Sequence, residues 1–523
     1  MALVKTGSDA KAAFGVAMAL VAVASFASAS ALSWLVAPFV IILILFAISR
    51  AALSDTMLVL MFFALVLENP AENMAAGQWA SPFKTFGGLV LTHWKTTIGG
   101  PWAFGGMDLM LIAAIIVAVS RGRRKTATEK VLATPEPMVK LAYLSLATVV
   151  FVYLVGKLRG GADNSMAVWQ ADRVTYLPIV FLLFSAGLVG PNDHVRVGKV
   201  LILSGTLRAL QALYVKAIVP VTPDPMTGEA TLVYATSHND SITFALTTVC
   251  LVALLIERVG KKAKRVCILC IPILLGGMWA NNRRMVWVQI ILVLAVVYLM
   301  TDRNAFKRKL ERVLMVLAPL IAGYVAAGWG SKSPIFKPVQ VIYSAMDTKT
   351  DTSTLWREIE NFDLIATVRN VPIFGMGYGQ PFWEVIPLPA VDYTLERYIP
   401  HNSLLGLWCF YGLVGVVGIT SLWAAGVYFG IRSYHFSKEK LDRAAALGSF
   451  AAVVVYLVQM FGDMGLGCWQ GVFTVGPALA VACKLATRSG AWVNAVTKRR
   501  PAAAAAAAQQ SPGAAPRRTP AAS

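Results

Sequence analysis

Apolar runs near twenty residues recur along almost the whole chain. Each is long enough to cross the roughly 30 Å hydrocarbon core of a bilayer as a helix. A chain built this way must satisfy its backbone internally, so the expected fold is an all-α polytopic membrane bundle. Reading the runs between charge clusters places about fourteen spans, starting near Ala12, Ala31, Asp55, Gly106, Pro137, Thr175, Gly198, Asp240, Arg265, Arg284, Arg312, Leu404, Arg443 and Gly471. An even count returns both termini to one side.

The 523-residue chain carries 47 Lys+Arg against 27 Asp+Glu, a net charge of +20. In a soluble domain that excess would suggest nucleic acid. Here the cations sit in short loops: Arg121, Arg123, Arg124 and Lys125; Lys261, Lys262, Lys264 and Arg265; Arg303, Lys307, Arg308, Lys309 and Arg312; Lys438, Lys440 and Arg443. That is the positive-inside pattern, which makes nucleic acid an unsuitable partner and puts these loops and both termini in the cytoplasm. The six cysteines lie in or beside apolar runs, and the Cys267-x-x-Cys270 pair reads as helix packing. The first apolar run imitates a signal peptide, but a second follows almost at once, so we read it as a retained span.

The expected organisation is therefore a bundle over 1–239 with a loop near 68–106, a second bundle over 240–487 with a larger loop near 330–400, and a disordered Ala/Pro-rich cytoplasmic tail over 488–523. Both loops face away from the cytoplasm. Within the larger one, Trp356, Ile359, Phe362 and Ile365 recur at helical spacing before Pro372, which predicts an amphipathic helix at the outer membrane boundary or over the bundle. Gly375, Gly377 and Gly379 follow it without the strand and βαβ unit that a nucleotide loop needs. They read as a tight turn where backbone passes close to backbone.

Ionisable groups at span ends on the outward face are the candidates for chemistry. Arg283 and Arg284, after Asn281 and Asn282, occupy an outward turn where positive-inside statistics disfavour them; a guanidinium fork suits phosphate oxygens. Arg357 and Arg369 lie on the loop helix, and Asp463 on another outward turn. His401 and Asn402 open the next span, and an imidazole can take a proton from a hydroxyl near neutral pH.

His401-Asn402 is followed by nine residues, Gly412, two residues and Gly415. This resembles the His pattern of the bacterial O-antigen ligase family and its polysaccharide-polymerase relatives. Further likenesses come in matching order: TSHNDSITFALTT with Asn239, NNRRMVWVQ with Arg284, and NVPIFGMGYGQPF. The chain departs from the pattern where relatives carry an arginine before the loop tryptophan, since Asp351, Thr352 and Ser353 stand there, and where a serine precedes the span arginine.

The resemblance implies a GT-C-like bundle with a metal-independent, inverting glycosyl transfer at the outer face of the inner membrane. The donor would be an undecaprenyl-diphosphate-linked glycan, and no cofactor would be needed. His401 is then the general base, Asn402 holds the loop or a sugar hydroxyl, and Arg284, Arg357 and Arg283 meet the diphosphate. Asn239, Asp463 and Arg369 are secondary candidates. The expected activity is a polysaccharide polymerase acting on an acceptor glycan, with a ligase to lipid A-core as the alternative and a transporter or flippase as the third. Membrane lipids, a chain-length regulator and export proteins complete the expected partners.

Overall fold

A computed structural model describes residues 12–17, 19–21, 30–67, 84–94, 104–120, 134–218, 235–331, 333–336, 339, 352–388 and 397–494. The predicted loop near 68–106 lies largely outside these residues. So do the basic cluster at 121–125, parts of the 330–400 loop, and the tail from 495.

Beyond short helical stretches at 12–17 and 19–21, the described helices are α1 (Ser30–Arg50), α2 (Leu53–Val66), α3 (Lys84–Leu91), α4 (Gly106–Ser120), α5 (Glu136–Leu158), α6 (Asn164–Gly187), α7 (Asp193–Ile218), α8 (Asp240–Ile256), α9 (Lys261–Asn281), α10 (Met285–Met300), α11 (Ala305–Gly328), α12 (Thr352–Asn370), α13 (Ser403–Phe436), α14 (Lys440–Gly462) and α15 (Trp469–Arg488). Each of the fourteen predicted starts falls in or beside a helix. Seven helices are long and apolar enough to cross a membrane: α5, α6, α7, α9, residues 307–328 of α11, α13 and α14. The apolar α2, α4, α8 and α10 have 14 to 17 residues. At 1.5 Å per residue they reach about 21–26 Å, short of a full hydrocarbon core.

The core forms around α15, whose residues from Trp469 to Thr487 are all buried against α6, α13 and α14. Its Gln470, Thr474 and Lys484 therefore face protein, and a helix buried this way needs no lipid-facing apolarity. Helices from both halves of the chain share this core. Fully buried Arg208 of α7 pins three of them, donating to Asp240 of α8 at 2.7 Å, to Gln211 at 2.8 Å and to the Val66 carbonyl of α2 at 3.3 Å. Removing one partner of such a buried pair costs about 3–5 kcal/mol.

The bundle has two chemically different ends. At one, Arg443 of α14 donates to Glu257 after α8 at 2.8 Å and to Asp302 after α10 at 2.5 Å, and the described basic clusters lie at helix termini of this same end. At the other, His238, Arg283, His401 and Asp463 sit at the opposite termini of those helices. The six cysteines are free, and Cys267 and Cys270 are buried in α9 as packing residues.

The glycine turn predicted from Gly375, Gly377 and Gly379 docks on a break in α13. At Gly412 the backbone leaves the helix (φ 61°, ψ −178°), which frees carbonyls before it and N–H groups after it. The 372–377 segment satisfies them: the N–H groups of Met376 and Gly377 donate to the Cys409 and Phe410 carbonyls, and those of Leu413 and Val414 donate to Pro372 and Ile373 (2.8–3.1 Å). A side chain at Gly412 would stand 2.3 Å from the Ile373 carbonyl oxygen, and one at Gly375 2.5 Å from the Gly412 nitrogen. The two glycine motifs are halves of one joint, and that joint aims the segment carrying His401.

Candidate active site

His401 lies in the turn that enters α13, and Asn402 caps this helix, its Oδ1 accepting from the Leu405 N–H at 3.2 Å. Asn402 thus holds the helix start. The His401 N–H donates to both carboxylate oxygens of Glu360, at 3.0 and 3.2 Å, and its ring Nδ1 lies 3.2 Å from Glu360 Oε1. Glu360, on α12, has a side chain only 1% exposed. A buried carboxylate accepts but cannot donate, so Nδ1 carries the proton and Nε2 is left as the basic nitrogen. Trp356 stands edge-on to the imidazole, with ring centroids 6.2 Å apart.

The helix predicted around Trp356 forms, and the face it buries is mixed, polar and apolar. Glu360, Asp363, Leu364, Thr367 and Val368 are buried, whereas Phe362 and Ile365 point outward. The polar face has partners that fix it: Asp363 Oδ1 accepts from the Val385 and Ile386 N–H groups at 3.0 Å, and Thr367 Oγ1 from that of Trp383 at 3.0 Å. Leu355, Phe362 and Ile365 stay exposed on the opposite side.

Asp463, just past the end of α14, gathers the cations. Burial pushes its carboxyl up, yet His238, Arg357, His401 and Arg283 together more than offset this and hold it below the usual aspartate range. His238 Nε2 stands 3.8 Å from its Oδ1. The Ser403 hydroxyl donates to the Asp463 carbonyl at 3.4 Å, tying this turn to the start of α13.

The predicted residues divide accordingly. His401, Arg357, Arg283 and Asp463 share one electrostatic cluster. Half-buried Arg283 faces it, while Arg284 is exposed at the start of α10. Arg357 is half-buried, and its Nε finds no hydrogen-bond partner among the described residues. Arg369 is exposed at the far end of α12, about 18 Å along the helix from Arg357. Asn239 is buried beneath the cluster, its Oδ1 accepting from Gln459 at 3.5 Å, and Gln459 accepts in turn from Gln289 at 2.6 Å. Sequence reasoning missed Glu360 and His238. Glu360 lay one helical turn beyond Arg357, and His238 lay inside the quoted TSHNDS stretch. Among the described residues no group of three His, Cys, Asp or Glu side chains is placed to hold a metal ion.

The chain is thus a helical polytopic membrane protein with two histidines, two carboxylates and two arginines gathered at one end of its bundle. Residues 268–420 match the family model described as O-antigen ligase. The match supports the O-antigen ligase/polymerase superfamily and with it a glycosyltransferase-like activity in a multi-pass inner-membrane protein. Arg283, Arg284, Arg357, Glu360, His401 and Gly412 all fall within the matched segment. No match was found among curated proteins.

Proposed function

We propose that this chain is a polysaccharide polymerase, moving an undecaprenyl-diphosphate-linked glycan onto a sugar hydroxyl at the periplasmic face of the inner membrane. The observation that carries this reading is the His401 imidazole, 3.2 Å from buried Glu360, with Arg283 and Arg357 both acting electrostatically on Asp463. In this reading the fourteen spans expected from the sequence cross in alternation, both termini are cytoplasmic, and the His401 end faces the periplasm.

His401 Nε2 takes the proton of the acceptor hydroxyl as its oxygen attacks the anomeric carbon of the donor sugar. The bond from that carbon to the diphosphate oxygen breaks, and a single displacement inverts the configuration. Arg283 and Arg357, with Arg284 at the rim, receive the charge that develops on the departing diphosphate. Preorganised donors of this kind are each worth about 2.7–4 kcal/mol, which lets the transfer proceed without a divalent metal. Asp463 offsets part of the charge of both guanidinium groups when no diphosphate is bound.

The description of the matched family favours a second reading, in which the same donor chemistry delivers the glycan to lipid A-core. The glycolipids of a deletion strain separate the two: single-repeat lipid-linked units mean a lost polymerase, and long lipid-linked chains a lost ligase. In either case His401→Ala abolishes surface polysaccharide with the protein still inserted, and the wild-type activity persists in EDTA. Normal polymer from His401→Ala would sink the mechanism, and strict dependence on a divalent metal would count against transfer stabilised by arginines alone.

A further inference from the structure

Beside the His401 turn lies a half-open recess whose enclosed part is only about 30 Å³ and whose open mouth brings the free space to about 390 Å³. Trp169 and Gln170 of α6, Tyr398, Pro400, Ser403 and Tyr411 form much of its wall. No charged residue lines it, so it does not suit the diphosphate. It is contiguous with the active-site cluster, because the Ser403 hydroxyl on its wall donates to the Asp463 carbonyl.

The walls are held in place by bonds that leave little freedom to collapse. Gln170 spends both ends of its amide as a strut, donating to the Tyr398 carbonyl at 2.8 Å and accepting from the Gly379 N–H at 2.7 Å. Tyr378 and Tyr411 hydrogen-bond through their hydroxyls at 2.5 Å. Trp169 is braced from behind by His93, with ring centroids 4.6 Å apart, and His93 is itself fixed 2.7 Å from the Asp172 carboxylate. An indole held against a buried, hydrogen-bonded His–Asp pair is a rigid apolar platform, ordered before any ligand arrives.

We infer that this recess binds one neutral pyranose ring of the acceptor glycan, its C–H face stacked on Trp169, so that the next hydroxyl reaches His401. The inference rests on the glycosyl-transfer reading above and adds to it the location of the acceptor. Flat aromatic faces suit the apolar faces of sugars, an uncharged lining suits a neutral ring, and the arginines remain for the donor. Trp169 and Gln170 lie outside the matched segment 268–420. Tyr398, Pro400, Ser403 and Tyr411 lie within it, so the recess is built jointly by the matched segment and α6.

The test measures binding, so that it does not depend on turnover. The full chain in nanodiscs is titrated with two probes: a neutral oligosaccharide released by mild acid from the host's own surface polysaccharide, and undecaprenyl phosphate. Trp169→Ala should weaken oligosaccharide binding about tenfold or more, as loss of an aromatic anchor does, with Trp169→Phe recovering most of it. Undecaprenyl phosphate binding should stay within about twofold in both variants. Unchanged oligosaccharide affinity in Trp169→Ala overturns the proposal. So does a loss confined to undecaprenyl phosphate, which would make the recess an isoprenoid site. Should Trp169→Ala fail to fold, Tyr398→Ala carries the same expectation. Failure of the transfer reading shows separately, as normal polymer from His401→Ala.

Discussion

Glu360→Gln isolates what the buried carboxylate does for His401. Glu360 accepts from the His401 backbone N–H and from Nδ1, and Oε1 serves both at 3.2 Å while Oε2 takes the N–H at 3.0 Å. Bonds to a charged acceptor contribute about 1.5–3 kcal/mol and neutral ones about 0.5–1.5, so neutralising the group costs about 1 kcal/mol for each of the two donors. Glutamine also brings an NH2 that must oppose one of them. With the oxygen at the Oε1 position the NH2 faces a backbone N–H; turned over, it faces Nδ1 and favours the tautomer whose Nε2 is protonated and cannot act as base. Together these give about 2–3 kcal/mol, a loss of about 30- to 150-fold in kcat, with KM for the lipid-linked donor within about twofold. The assay uses the purified chain and the lipid-linked donor pool of a deletion strain, with products resolved by length on a gel. A Glu360→Gln enzyme as fast as wild type, beside an inactive His401→Ala, would refute the tautomer argument.

The arginines should separate by position. Arg283→Ala should lose about 100-fold or more in kcat, Arg284→Ala less, and exposed Arg369→Ala under twofold in the same assay; equal losses at 283 and 369 would mean the cluster is not where charge develops. Gly412→Ala should destabilise by about 2–4 kcal/mol, because it forces a side chain into a glycine-only conformation against the Ile373 carbonyl; the check is the melting temperature in detergent, and an unchanged value would remove the joint from the account. For Asp463, whose native pKa is held below its unfolded value, the linked stability is fully present above the ordinary aspartate pKa of about 3.9 and is lost as pH falls through the depressed native value. Melting of wild type and Asp463→Asn should therefore differ most at neutral pH and converge in acid. A gap that widens on acidification would reverse the sign of the argument.

Much of the fold was legible because a bilayer imposes a local rule. A segment that must satisfy its own backbone in hydrocarbon announces itself by length and apolarity, so the fourteen predicted starts fall in or beside helices, seven of the described helices being long and apolar enough to cross. Even so, α15 shows where the rule weakens. It is wrapped by protein along almost its whole length, and it carries Gln470 and Lys484 that no lipid-facing helix would tolerate. The loop helix was legible as a helix but not in its orientation. Period alone fixes which residues share a face, while the partners of Glu360, Asp363 and Thr367 decide which face turns inward.

The sequence by itself determined the class of protein, the helical segments, the sidedness of charge, and the His401-Asn402 and glycine motifs, all of which are short-range patterns. The tertiary structure alone decided that Glu360 anchors His401 from 41 residues away, that Arg283 acts on Asp463 while Arg284 is exposed, that Arg369 is exposed at the far end of its helix, and that Gly375 and Gly412 form one joint. The physical reason is that hydrogen bonds and Coulomb forces act over a few ångströms of space, whatever the separation in chain, so only packing reveals which side chains share that distance.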